Sequence, residues 1–599
     1  MGLADRLRRR GALILFLAAA AAGARAGEPS DRDPSTSEKE VYERELIARA
    51  LDRLDLVRVA DPGDEVIERI EVVRFPIVEQ TDPWPEFLNL FHVVTREHIV
   101  RQELLFAAGE AYDPERVRES ARNLRGLPSL FATVRIVAAR PEDGGALVVV
   151  VITKDLWSIR LNSNGNFGGG QFNYFYVTPS EQNLLGLNQQ LSLHFYIDRD
   201  VQAVGQIYRV PRLFGTRLAL SESAALRINH HSGEVEGGWG NVQLSRPLYA
   251  LDARWGFWVQ LAFDLGIDRY YQGAGARLLE VTAGQTVYRL PEMYRHQRYD
   301  FSAGLLRSFG RHYKTNLSLG YRLRAHSYAL TDGFKLLPGG VRSAYERAAL
   351  PEDDRAGSLT AGVRFFEARY QRMHNVQTLG LTEDFRLGPS LALDIDWASQ
   401  AFGFSQESLR LDLSLSYRLA FGDDLLSLAA QAGARYMPDH GLQDVDTGWI
   451  DQRYEVQIEN VSPSLWGVGR LLVRLRYAYL QHSRSRSRFS LGGDSTLRGF
   501  ISGFAVGERL LNLNVEFRSA PWVIYTLHLG FVLFYDGGDA YGFGPDDDFR
   551  YHQAVGLGLR GLFPQFDRGT LRVDLGIPLG ADFHDRVIDW VSIAYQQAF

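Results

Sequence analysis

The chain has 599 residues, 12% of them aromatic, with 58 glycines, 27 tyrosines and no cysteine. A formal net charge of -6 is slight for this length, so no nucleic-acid partner is expected. The missing cysteines exclude thiol catalysis, thiolate metal sites and disulfide staples.

Arg8, Arg9 and Arg10 precede an apolar stretch from Gly11 to Ala22, and Ala24-Arg25-Ala26 follows. That order makes residues 1–26 a signal peptide, its apolar part falling short of the roughly 20 residues a spanning helix needs. Residues 27–62 are a linker carrying an amphipathic helix, Ser35 to Val57, with Val41, Leu46, Ala50 and Leu54 on one stripe, expected to lie on a surface or dock. Residues 63–155 have the order β-α-α-β-β. Val66 to Val73 is a strand, and a helix from about Arg96 to Ala107 ends at Gly109. A second helix opens with Asp113 as cap and Pro114 in its first turn and stops at Gly126. Val134 to Ala138 and Leu147 to Ile152 form a hairpin across Gly144-Gly145. A small α+β module of this kind has a sheet edge available.

From Trp157 to the end, residues 156–599, apolar and polar side chains alternate with period two, the signature of strands. Leu409, Leu411, Leu413 and Leu415 share one face and Arg410, Asp412, Ser414 and Ser416 the other; Leu511, Leu513 and Val515 oppose Asn512, Asn514 and Glu516 in the same way. Candidate strands number roughly twenty, some assigned to hairpins within long loops such as Thr331 to Asp354 and Met437 to Val461. Repetition on this scale predicts a membrane all-β fold, a closed antiparallel transmembrane β-barrel. A lumen too wide for side chains to fill must be polar and wet, so the apolar face meets lipid and Arg322, Arg324, Arg474, Arg476 and Arg560 point inward. Val591, Ile593, Tyr595 and the terminal Phe599 have the pattern of a terminal recognition strand.

Several stretches imitate chemistry that their context denies. Gly556-x-Gly558-x-x-Gly561 lies in an alternating strand rather than a strand-to-helix turn, so its glycines relieve crowding on the inner wall. Gly493-Asp494-Ser495 with Asp582 and His584 lacks the spacing of a hydrolase, and His230-His231 and Asp546-Asp547-Asp548 read as solvated loop groups. No catalytic residue, cofactor or bound metal is expected.

One stretch resists so plain an account: Leu491-Gly492-Gly493-Asp494-Ser495-Thr496-Leu497-Arg498-Gly499-Phe500, glycine-rich and with a single Arg among apolar neighbours. Here the chain resembles the BamA/TamA superfamily (surface antigen family) of outer-membrane insertases and translocators, whose sixth extracellular loop folds into the lumen with an Arg-Gly-Phe/Tyr tip. Glu181-Gln182-Asn183-Leu184-Leu185-Gly186, Pro211-Arg212-Leu213-Phe214-Gly215, Phe534-Tyr535-Asp536-Gly537-Gly538 and Arg572-Val573-Asp574-Leu575-Gly576-Ile577-Pro578 resemble further family signatures in the right order. The module with Gly109-x-x-Tyr112 looks like one polypeptide-transport-associated (POTRA) domain, where better-known members carry two or more.

The resemblance implies about 16 strands, an inward-folding loop around 481–507, and a latch of Arg498, Gly499 and Phe500 received by Asp536, with Glu516 as a second carboxylate. Parity independently turns Glu516 and Asp536 inward. An Arg held by two carboxylates makes bidentate bonds worth up to about 4 kcal/mol each before desolvation, less in a wet lumen. The implied function is capture of unfolded outer-membrane or secreted polypeptide clients by strand addition at the POTRA edge, then insertion at the seam between the first strand, near Ser158 to Phe167, and the last. A dedicated polypeptide-export pore of the two-partner secretion type, with the N-terminal helix as plug, and a passive barrel anchor or porin are the alternatives. Outer-membrane lipids and periplasmic accessory proteins are further expected partners, with the POTRA domain in the periplasm.

Overall fold

The computed structural model describes residues 34–79, 89, 92–127, 130–168, 171–272, 275–402, 407–439, 447–484, 487–493, 495–501, 503–524, 527–542, 548–563, 570–580 and 591–595. The expected signal peptide and the terminal Phe599 lie outside the described residues.

The N-terminal domain is built on a four-stranded sheet, β1 (Leu56–Val59), β2 (Ile67–Phe75), β3 (Phe131–Pro141) and β4 (Leu147–Asp155), in the order β1-β3-β4-β2. β4 pairs antiparallel with β3 and parallel with β2, and every one of its residues is buried, as expected of a central strand covered on both faces. One face packs on α2 (Glu97–Gln102) and α3 (Pro114–Gly126), with Val100, Val117 and Leu124 against Val134, Val149 and Val151. Asp113 caps α3 by accepting from the backbone N–H groups of Glu115 (2.8 Å) and Arg116 (3.3 Å). The other face is closed by α1 (Pro34–Asp52), whose Leu46 and Ala50 bury against Phe75, Val137, Val148 and Val150.

Three expectations change here. The helix at 35–57 is one layer of the domain rather than a linker element, because its apolar stripe has a sheet face to cover. The helix from Arg96 is only Glu97–Gln102. The sheet has one strand more than the order β-α-α-β-β, since β1 pairs with β3 from Leu56↔Pro141 to Val59↔Ala138 and partly covers that edge, while β2 is the sheet's other edge. Among the described residues, the open part of the β3 edge is 131–137.

Beyond Ile159 the chain is one large antiparallel sheet. Neighbouring strands pair in sequence from Ile159–Gly168 onward, and the last, Val591–Tyr595, neighbours the first, so the order of neighbours is a ring. Asp354–Glu367 and Arg369–His374 are one interrupted strand against Thr382–Ala398, and Arg509–Ser519 and Trp522–Ile524 are another against Leu527–Tyr541. Counted so, the ring has twenty strands among the described residues. This corrects the sixteen implied by resemblance and lies near the roughly twenty candidate runs, some of them assigned to loops. The segment Thr331 to Asp354 corrects another expectation: it holds two helices, Asp332–Lys335 and Gly339–Ala349, rather than a hairpin. Their Ala344 and Tyr345 pack on Val281 of the hairpin Leu278–Ala283/Thr286–Pro291. Within Met437 to Val461, Trp449–Val461 is a wall strand of the ring.

The alternation sorts the wall into two faces. Leu319 stands opposite Leu305 and Ala361 on the outside, with Leu319 65% and Leu305 59% exposed. Inside, Arg322 pairs with Asp396, Arg324 with Asp354, Arg476 with Glu455 and Arg560 with Asp574, so each carries a carboxylate and needs no substrate to explain it.

The N-terminal domain docks on one end of the ring through successive turns. Arg96 N–H donates to Gly186 O (2.9 Å), Arg212 grips Glu103 through two bonds (2.7 and 2.5 Å), Leu251 N–H donates to Glu119 (2.6 Å), and Arg311 lies 3.4 Å from Glu115. Gly186 (φ 73°) has no room for a side chain, because a Cβ there would lie 2.7 Å from Val94 O.

Candidate functional site, a loop anchored inside the ring

The candidate site is the connection between the strands Gly469–Gln481 and Arg509–Ser519, at the end of the ring opposite the N-terminal domain. A short ladder, Phe489–Leu491 against Ala505–Gly507, narrows its neck. Below the neck the loop folds on itself: Thr496 Oγ1 accepts from Gly492 N–H (3.1 Å) and donates to Gly492 O (2.9 Å), and Gly493 N–H donates to Phe500 O (3.0 Å). Its apolar residues face the wall, so that Leu491, Leu497 and Phe500 bury against Ala478, Leu480, Leu510, Ala540 and Ala554. Asn512 and Asn514 both donate to Thr496 O, at 2.9 and 2.8 Å. The loop therefore lies inside the ring, against inward-facing positions of its wall.

Arg498 is the centre of the arrangement. Its Nε and Nη2 donate to the two oxygens of Asp536 (2.7 and 2.9 Å), its backbone N–H donates to the same carboxylate (3.1 Å), and Nη1 donates to Glu516 Oε2 (2.8 Å). Asp574 stands 3.7 Å from Nη1, and the guanidinium carbon lies 3.5 Å from the centre of the Phe534 ring. Arg518 and Arg560 donate to Glu516 (2.6 Å) and Asp574 (2.6 Å), and Arg572 to Asp574 (3.1 Å), so four arginines share three carboxylates. Burial by itself lowers the proton affinity of Arg498, but Asp536, Glu516 and Asp574 outweigh it and raise it.

Arg498 is 1% exposed and Glu516, Asp536 and Asp574 are fully buried. The wet lumen expected around this residue is thus replaced by packed protein, where removing one partner costs far more than the pair gains over an apolar filling. The glycines make the room. Gly499 (φ 91°) and Gly576 lie backbone to backbone, a Cβ on the first falling 2.5 Å from Gly576 O. A Cβ on Gly556 would overlap Phe534, and one on Gly558 would overlap Asp574. Crowding on the inner wall is therefore what these two glycines of the G-x-G-x-x-G stretch relieve.

Of the residues singled out from the sequence, Arg498, Gly499, Phe500, Asp536 and Glu516 come together in one cluster. Phe500 also packs against Phe504, ring centres 4.6 Å apart and planes tilted by 56°. The third carboxylate Asp574, its partners Arg560 and Arg572, and Arg518 belong to the cluster without having been assigned to it. Their signal is parity, since each occupies an inward position of its strand. Val591, Ile593 and Tyr595 fall in the last described strand, paired with Leu571–Pro578. The His230 and His231 rings lie 4.1 Å apart, tilted by 47°, and bond backbone oxygens of the turn at 198–199, and no metal-holding group occurs among the described residues.

No family model matches the chain, and no curated protein matches it. Among solved structures it is similar to BamA from Haemophilus ducreyi lacking POTRA domains 1–3 (12% identity, TM-score 0.32, covering 96% of this chain and 94% of that chain). It is also similar to CdiB from Acinetobacter baumannii (12%, 0.35, 93% and 80%) and to CdiB from Escherichia coli (13%, 0.40, 95% and 88%).

Proposed function

We propose that this chain assembles or translocates unfolded polypeptides at the outer membrane, and that its main activity is insertion of client strands. The observation that carries the reading is the loop held inside the ring by Arg498 on Asp536 and Glu516. A loop anchored by buried charges can be held in one state and released in another, which a machine that opens its lumen and wall requires.

Clients would be captured as extended strands on residues 131–137 of β3, the part of the edge that β1 leaves open. Main-chain pairing of that kind tolerates many sequences. The client would then pair with an edge between the strands Ile159–Gly168 and Val591–Tyr595, inside the bilayer, where unpaired backbone is costly. The apolar outer face, with Leu305, Leu319 and Leu559 exposed, supports placement in lipid, and the domain-side end would face the periplasm. No energy source or cofactor enters this scheme.

The test is the folding rate of an unrelated, urea-unfolded barrel protein into liposomes with and without this chain. Faster folding supports insertion. No acceleration, together with release of one dedicated partner across the same liposomes, identifies an export pore; neither effect leaves an anchor or porin.

A further inference from the structure

Residues 369–387 depart from the wall. Past Ala368 and Gly388 the two strands pair only with each other, Arg369↔Leu387 to His374↔Thr382, while their outer neighbours end at Tyr313↔Glu367 and Gly388↔Arg418. Gly388 takes φ 82° at the bend, where a Cβ would overlap Glu367. Met373 and Phe385 then bury against Leu425, Val461 and Leu472. The register puts those three on the inner face, because Leu472 stands opposite the inward Glu516, Val461 opposite Leu472, and Leu425 opposite Val461. Apolar side chains facing the lumen are explained by a hairpin folded across them.

The tip of this hairpin is stiff. The Glu383 carboxylate accepts from the backbone N–H groups of Val376 (3.0 Å), Gln377 (3.0 Å) and Thr378 (2.6 Å). From there it reaches distant strands: Val376 O accepts from Arg518 Nη1 (3.0 Å) and Leu379 O from the His528 ring (2.7 Å). Arg518 in turn donates to Glu516, whose other oxygen holds Arg498. At the base, Arg125 of α3 grips Asp384 through two bonds (3.0 and 3.4 Å) and the Arg122 guanidinium lies 4.2 Å over Tyr370. An unbroken line of contacts thus runs from the N-terminal domain through the hairpin to the loop.

We infer that residues 369–387 are an internal gate that crosses the domain-side mouth of the lumen and couples the position of the N-terminal domain to the hold on Arg498. Moving the domain pulls on Asp384; the stiff tip transmits the shift to Arg518, and Glu516 loses part of the partnership that keeps it aimed at the loop. Packed elements with discrete arrangements transmit such a shift as a measurable coupling between sites.

The native chain has no cysteine, so a single Ser495→Cys placed in the loop reports on it alone. In liposomes and planar bilayers carrying the full chain, Asp384→Arg and, separately, Arg125→Asp are expected to raise labelling of that cysteine by a water-soluble maleimide several-fold and to increase single-channel conductance. The charge swap Arg125→Asp with Asp384→Arg is expected to return both towards the parent values, and Arg518→Gln to raise labelling without adding to Asp384→Arg. Heat-modifiable migration on gels checks that each variant folds. Unchanged labelling in the folded single variants, or a swap that restores nothing, overturns the gate.

Discussion

Arg498, in a loop between two strands, and Asp536, on the inward face of the strand Leu527–Tyr541, meet through two parallel side-chain bonds of 2.7 and 2.9 Å with both residues out of water. The planar fork of a guanidinium fits a carboxylate in this way and an ammonium does not. Arg498→Lys is therefore expected to behave more like Arg498→Ala than like the parent. Alanine leaves the buried Asp536 without its arginine, a loss of about 3–5 kcal/mol for a broken buried pair, and lysine keeps the charge but cannot make both parallel bonds, while Glu516 and Asp574 retain Arg518, Arg560 and Arg572. Hydrogen exchange over residues 491–504 checks this, with protection falling in both variants while the wall strands keep theirs.

Gly499→Ala should release the loop without touching a charge. The added Cβ meets Gly576 O at 2.5 Å, backbone that cannot rotate aside, and φ 91° strains any side chain. The expected result is loop protection close to that of Arg498→Ala, read by the same exchange experiment.

The two faces of the wall predict opposite responses from adjacent positions. Leu319→Arg places a charge on the lipid side and should cost about 2–4 kcal/mol near the bilayer midplane, whereas Ser318→Arg, on the lumenal side, should cost much less. Reversible unfolding in liposomes by denaturant titration measures the difference.

β1 is short, and its pairing with β3 is the feature that separates this domain from a plain β-α-α-β-β module. Val57 and Arg140 are direct cross-strand partners, within the separation a disulfide spans. Val57→Cys with Arg140→Cys should form one spontaneously under oxidising conditions, seen as a reduction-sensitive gel shift. Failure to form it in the folded chain would mean that this edge is open.

Much of this arrangement was legible in the alternation. Period two alone turned Glu516, Asp536 and Arg560 inward, and the count of alternating runs came closer to the twenty strands than the family resemblance did. Asp574 escaped because its partners Arg498 and Arg560 lie on other segments, and a lone inward Asp looks the same whether it meets water or a guanidinium. Residues 369–387 escaped for a related reason: Met373 and Phe385 alternate with polar neighbours just as wall residues do, and only Gly388 marks the bend. The helix Gly339–Ala349 did leave a trace, since Val341, Ala344 and Tyr345 are spaced three and four apart on its buried side. β1, four residues long, is too short for its period to be read apart from the helix before it.

The measurement that tests the central claim most directly is the folding rate of an unrelated unfolded barrel protein in liposomes containing the parent chain, beside liposomes containing folded Arg498→Ala at equal density. A latched loop that serves insertion predicts acceleration by the parent and its loss in the variant. Equal acceleration by both would contradict the role given to the loop, and acceleration by neither would contradict insertion itself.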